Sequence, residues 1–440
     1  MRYLPHSAAD RREMLASIGV SSVDELFADV PRAVSDAFRP LGLSPRSEQE
    51  VVAELTELAA RNRAHEKVCF AGGGVYDHYV PSLVGHVLSR SEFYTAYTPY
   101  QPEVSQGTLT AMFEFQTMVC ELTGMDVANA SLYDGVTAVA EAVLMAERVR
   151  SRGRVAVARS LFSNVRRVLD TYCWASGIEV VELPYLPSGR CDLSDVPDDV
   201  SAVVLQSPNA FGVIESLEGV KERIGDALLV VSVHPISLGV LAPPGAIGAD
   251  VVVGEGQPLG LPMSFGGPLL GLFATRKEHL RQMPGRLSGR TVDAEGKTGY
   301  TMAAQTREQH IRRERATSNI CTNSALCALA ATVYLASVGA DGLRRVAELN
   351  VEKAHYLADR IAAMEGFGIP FSGPFFNEFV VRVPGDADGL HRALLDAGYL
   401  VEPPELLQAH GVENGLRIAV TERRTREELD RFAEALGGSR

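Results

Sequence analysis

The sequence predicts an α/β fold: a large domain around a mostly parallel sheet, with a helical arm before it and a small α+β domain after it. Three observations carry the prediction. Short apolar runs recur at a regular interval, at 155–158, 179–183, 202–205, 228–233 and 251–253. Each is apolar on both faces, as a covered parallel strand requires. Segments of helical period lie between several of them, including 165–176 and 217–224, and that alternation means βαβ units in a doubly wound sheet.

Residues 1–65 read as the helical arm. Ser22 with Glu25, and Ser47 with Glu50, have the spacing of capping boxes. Pro31, Pro40 and Pro45 interrupt the segments between them. The arm's own apolar content is thin, so it is expected to pack on another surface. The large domain is placed at 66–338. It begins with CFAGGGVYDHYVP (69–81) and EFYTAYTPYQPEVSQGTL (92–109), where glycines and then tyrosines among prolines make an ordered, irregular region. Helices at 109–123 and 137–149 lead into the strands. After 251–253 come a Gly/Pro loop, 254–267, and a second apolar strand, 270–274. A loop that tight after a buried strand is where an α/β sheet presents a ligand site. Helices at 325–336 and 343–364 lead to the small domain, 339–440. Its strands are expected at 378–383 and 415–420 around a helix at 390–397, with a last helix at 426–436.

The formal charge of −13 argues against nucleic acid or an anionic membrane as partner, since both want a basic face. The six cysteines form no C-x-x-C pair and mostly sit beside apolar residues. Free thiols in a reducing compartment are expected, with no metal site. The chain turns polar at 6–13, without a secretory core, and the apolar run 325–338 is too short to cross a bilayer. A cytoplasmic location follows as an expectation.

Several stretches invite a chemical reading. The loop 129–137, NASLYDGVT, opens a helix, and free N–H groups there suit a phosphate. Ser, Asp and Thr also cap helices with no ligand present, and that reading weighs more. The strand-end turn 206–212, QSPNAFG, either aims Asn209 into a crevice or ends the strand. The strand 228–233 runs into Ser232-Val233-His234 without a carboxylate, and His234 reads best as a hydrogen-bonded core or loop histidine. The arginines of 308–319 suit a salt-bridged helix end better than an anion site. Arg417, on a small-domain strand, is within reach of a carboxylate or simply at the surface. The polar-tipped aromatics of 92–103 stand on rigid turns and favour an interface or a site.

In order, these stretches resemble the glycine decarboxylase family, the P-protein of the glycine cleavage system. The resemblance is closest to the N-terminal-half subunit, subunit 1, of bacteria that split the protein in two. It is carried by YDHYVP (76–81), SEFYTAYTPYQPEVSQG (91–107), GMDVANASLYDG (124–135), SFGGP (264–268) and RRERATSNICT (312–322). It spans essentially the whole chain. One departure is Phe162-Ser163, where relatives often carry His-Pro.

The resemblance implies a fold-type-I PLP-transferase-like large domain and an oxidoreductase role in glycine catabolism. The catalytic half of that family holds pyridoxal phosphate (PLP) on a His-Lys-Thr loop. Laid on that pattern, Gly256 falls at the histidine, Gln257 at the lysine and Pro258 at the threonine. Gln257 has no basic amine, so no Schiff base can form there. The strand before it ends without the aspartate that keeps the cofactor's ring nitrogen protonated. The implied cofactor is therefore PLP bound by a partner, subunit 2, in an α2β2 assembly. That pair would decarboxylate glycine and pass the aminomethyl group to the lipoyl arm of the H-protein. This chain would supply the facing wall, with Tyr97, Tyr100, Gln101 and Glu103 as the candidate residues. The alternatives are a self-sufficient PLP enzyme with a displaced lysine, Lys277 first among them, and a non-enzymatic scaffold docking through the tyrosine loop.

Overall fold

A computed structural model of the protein describes residues 5–39 and 41–438. It contains two compact units, Met1–Arg63 and Ala64–Arg440.

In the first unit, helices α1 (Ala8–Ile18) and α2 (Glu48–Ala60) both start at capping boxes, Ser7 with Asp10 and the predicted Ser47 with Glu50. The Ser22–Glu25 pairing forms too, but only a single 3-10 turn, Asp24–Phe27, follows it. Pro31 stands close behind and leaves no room for a longer helix. Pro40 lies outside the described residues. No residue of α1 or α2 is buried.

The second unit is organised on a seven-stranded sheet. After helix α3 (Gln106–Thr123) come β1 (Val127–Ala128), α4 (Gly135–Arg150), β2 (Arg154–Ala158), α5 (Ser163–Ser176) and β3 (Glu179–Leu183). Then follow β4 (Ala202–Ser207), β5 (Leu228–Val233), β6 (Val251–Glu255) and β7 (Gly271–Thr275). The spatial order is β1-β7-β6-β5-β4-β2-β3. The five strands from β3 to β6 are parallel; at one edge β7 runs antiparallel to β6, and β1 antiparallel to β7. Every residue of β4 and β5 is buried, whereas the edge strand β3 is largely open. That is why 202–205 and 228–231 read as unbroken apolar runs.

The short strand β1 was not anticipated, nor was a hairpin. This hairpin, of β8 (Leu287–Val292) and β9 (Thr298–Ala303), stands outside the sheet. It is mostly exposed toward its turn, so it shows neither a buried run nor a clean alternation.

The two helices predicted at 325–336 and 343–364 form one element, α6 (Ala325–Ala362), broken at Gly339, whose φ of 64° and ψ of −176° leave the helical region. The element taken whole is long and apolar enough to meet the length and composition of a membrane span, which the shorter run 325–338 alone does not suggest. Its apolar face, with Ala328, Ala331, Tyr334, Leu343 and Ala347, belongs to the core of the large sheet. A separate core closes the C-terminal region. It joins Phe70 and the second half of α6 to the antiparallel pair β10 (Glu378–Arg382) and β11 (Gly415–Ala419), with α7 (Ala387–Asp396) and α8 (Arg426–Gly438).

All six cysteines are free; four are buried and Cys321 is exposed.

Candidate active-site cleft

The cleft lies at the carboxyl ends of β4, β5 and β6, where a doubly wound sheet offers space to a ligand. About 590 Å³ of open space is walled by Gly73–Tyr76, the start of α4, Phe162, Gln206, Ser232–Pro235, Glu255 and Pro258. Gln257, between two of those walls, faces elsewhere. It is fully buried, and its amide is used up by main chain. Oε1 accepts from Tyr76 N–H at 3.0 Å, while Nε2 donates to Tyr76 O at 3.1 Å and to Leu261 O at 2.7 Å. A primary amide can accept and donate at once, and both functions are needed to pin an extended segment by its N–H and its C=O. A lysine has no acceptor for the first of these bonds.

Glu255 closes β6 at the floor of the cleft. Its Oε2 accepts from Gly135 N–H at 2.9 Å, at the start of α4. Its Oε1 accepts from Gln257 N–H and from Leu270 N–H, both at 2.9 Å. Burial pushes this carboxyl up to about 7, against the pull of the three N–H donors. Asp134 takes a further donor of the same helix start, Thr137 N–H, at 2.7 Å. The capping reading of loop 129–137 therefore describes it correctly: the orphan N–H groups that suit a phosphate have carboxylates from the chain itself. A β-carbon at Gly135 would stand 2.6 Å from Glu255 N, so only glycine lets the helix approach the strand this closely.

His234 lies against Tyr76, ring centroids 4.5 Å apart, with His78 edge-on at 5.6 Å. Its Nδ1 accepts from Ile236 N–H at 3.2 Å. Burial, then the neighbouring His78, pushes its pKa well below 6.5. The neutral ring with Nδ1 accepting carries its proton on Nε2, which has no partner. The core-histidine reading thus holds for one nitrogen only. His78 in turn binds Glu422 at 2.7 Å. Burial raises that carboxyl, but the bond to His78 and the N–H of Tyr79 outweigh it and leave it lowered.

Arg417 reaches carboxylates, and both belong to the chain. It is 3.0 Å from Glu378 and also pairs with Glu402, all three being buried. Tyr76 Oη donates to Glu378 at 2.8 Å, which ties the glycine run to the C-terminal strands. Arg417 also lies 5.0 Å over the Phe162 ring. Burial pushes Glu378 up to about 7 although Arg417 opposes it. Asn209, the residue considered for the crevice, is instead fully buried in a turn, bonded to Gly189 O, Glu215 and the N–H groups of Phe211 and Val213. Its neighbour Gln206 lines the cleft and holds Phe162 N–H at 3.1 Å.

Among the described residues, no lysine lines the cleft. Lys67 binds Leu395 O, Lys221 binds Asp250, Lys297 binds Glu295 and Lys353 binds Glu422 O. Lys277 sits past β7 in a short 3-10 turn, which removes the support for a displaced lysine. The residues do not fit PLP: the amine is missing, the helix start is taken by Glu255, and Ser232 and a neutral His234 stand where an acid is wanted.

The tyrosine loop is a different surface. Tyr97 is 76% and Tyr100 52% exposed, and Gln101 and Glu103 are exposed too. Arg286 tethers the loop from beneath, donating to Tyr100 Oη at 3.0 Å and Thr98 Oγ1 at 2.6 Å. Arg312, Arg313 and Arg315 are all at the surface, as a solvated helix end.

Sequence reading missed Glu255, Glu378 and Glu402. The one available signal was the lone acid in VVVGEG (251–256), at the end of an otherwise apolar strand.

A family model described as "Glycine cleavage system P-protein" matches residues 1–436. The probable glycine dehydrogenase (decarboxylating) subunit 1 of Carboxydothermus hydrogenoformans is 52% identical, with all of both chains covered. Its counterpart from Chlorobium chlorochromatii is 51% identical over 99% of each. Among solved structures, glycine decarboxylase (P-protein) of the glycine cleavage system, in inhibitor-bound form, superposes with a TM-score of 0.90 at 45% identity over the whole of both chains. The sphingosine-1-phosphate lyase of Burkholderia pseudomallei superposes with a TM-score of 0.65 at 15% identity over 92% of each, a likeness of fold alone. The fold is that of the fold-type-I PLP transferases. The chain belongs to the glycine cleavage system P-protein family.

Proposed function

We propose that this chain is subunit 1 of a glycine dehydrogenase (decarboxylating), the half that works without a cofactor of its own. The observation that carries this is Gln257, whose amide is committed to Tyr76 and Leu261 where a PLP enzyme needs a free amine. The partner, subunit 2, holds PLP, which supplies the electron sink for decarboxylation. The two chains form an α2β2 assembly that hands the aminomethyl group to the lipoyl arm of the H-protein. This chain contributes the wall facing the partner's site, through Tyr97, Tyr100, Gln101 and Glu103. Rigid, exposed aromatics tethered from below present contact area at low entropic cost, which supports this surface over the cleft.

The test is reconstitution. The purified chain should show no glycine–bicarbonate exchange and no PLP absorbance that borohydride fixes, and exchange should appear on adding subunit 2. A borohydride-fixed PLP adduct on this chain that supports exchange would overturn the reading. Tyr97→Ala and Tyr100→Ala should weaken association and lower turnover of the assembled pair. Weaker association with turnover unchanged in the complex that remains would favour a docking scaffold instead.

A further inference from the structure

We propose that Glu255 is a tethered carboxyl group, filling a phosphate-sized cup that the backbone still builds, and that it makes this cleft refuse phosphorylated ligands. Three N–H groups from three separate segments converge on one side chain: Gly135 at the start of α4, Gln257 in the loop after β6, and Leu270 before β7. Convergent N–H donors at a helix start are an anion site by construction. A single N-cap would satisfy one or two of them, as Asp134 does for Thr137. The first segment belongs to a sixteen-residue helix, so its dipole adds to the pull.

The rest of the cleft has not collapsed around this side chain. The space remains, and His234, 8% exposed, lines it with Nε2 unpartnered. A flat, unphosphorylated ring with an acceptor atom still finds a donor there. A phosphate meets the Glu255 carboxylate, with Asp134 beside it, and finds its donors taken. Refusal is therefore directed at the phosphate and not at the ring. This property belongs to the isolated chain and survives any failure of the assembly proposed above.

The test is isothermal titration of the full-length chain and its Glu255→Ala variant with pyridoxamine 5′-phosphate, pyridoxamine and inorganic phosphate. Pyridoxamine 5′-phosphate has no aldehyde, so surface lysines cannot capture it. Wild type should show no preference for the phosphorylated compound. Glu255→Ala should prefer it by about ten-fold or more, on the scale of one recovered charge-assisted bond, and inorganic phosphate should compete. The alanine leaves three buried N–H groups bare; should it not fold, Glu255→Ser, which keeps one acceptor, carries the same expectation. A wild-type chain that prefers pyridoxamine 5′-phosphate over pyridoxamine overturns the proposal by itself. So does a folded Glu255→Ala or Glu255→Ser chain with no such preference.

Discussion

Replacing Gln257 with alanine tests whether the residue at the lost catalytic position has become structural. The substitution strands two buried main-chain groups, Tyr76 N–H and Leu261 O, and removes one of the two donors of Tyr76 O, which keeps His78 N–H at 3.1 Å. At about 1–3 kcal/mol for each unsatisfied buried group, with some relieved by relaxation, the loss is about 2–4 kcal/mol. The damage is local first, because the bonds join the loop after β6 to the glycine run 72–76. Hydrogen exchange read on peptides covering 70–78 and 258–262 should therefore quicken by about 100-fold, the equivalent of about 3 kcal/mol. The substitution Gln257→Glu is the sharper probe. It keeps the size and the acceptor, removes both donors, and sets a charge against two carbonyl oxygens, so it should cost at least as much as alanine. If Gln257→Ala leaves exchange at both peptides unchanged and Gln257→Glu is tolerated, the amide is a bystander and the structural account fails.

Further expectations concern the buried charges. Arg417→Met leaves Glu378 and Glu402 buried without their cation, at a cost of about 3–5 kcal/mol in urea unfolding. Adding Glu378→Gln and Glu402→Gln should recover much of that loss, and a single variant as stable as wild type would contradict the pairing. His410 is buried with Nδ1 3.0 Å from Arg159 O, and burial lowers its pKa to about 4. Its folded pKa lies below its unfolded one, so the unfolded chain takes up the proton first. The stability is present above pH 6.5 and is lost as pH falls toward 4. At about 1.4 kcal/mol per pH unit, the drop from pH 6.5 to 5 is about 2 kcal/mol. His410→Asn should flatten that part of the pH profile of the unfolding midpoint.

The central strands of the large sheet were legible because a strand covered on both faces has only one economical composition. The hairpin Leu287–Ala303 was not, because a half-exposed ribbon carries neither signature. The break in α6 was readable as a pair of helices; that they form one element interrupted at Gly339 depends on how both halves pack. Gln257 was legible as a replacement, since the flanking strand and SFGGP turn mark the position. Its new partners were not, because Tyr76 lies 181 residues away.

What the sequence by itself determined is the family, the parallel sheet and the absence of a lysine at the one place where PLP chemistry needs it. These are properties of local pattern and residue type. Only the tertiary structure decided what the remaining polar groups do. Gly135 and Glu255 stand 120 residues apart in the chain, and Arg417 meets Glu378 only where β10 pairs with β11. A buried donor or charge must find its partner wherever the fold brings one, and nothing in the residue's own neighbourhood names that partner. A loop 129–137 that suits a phosphate and a Glu255 that takes the phosphate's place look independent in sequence; in the folded chain they are one site.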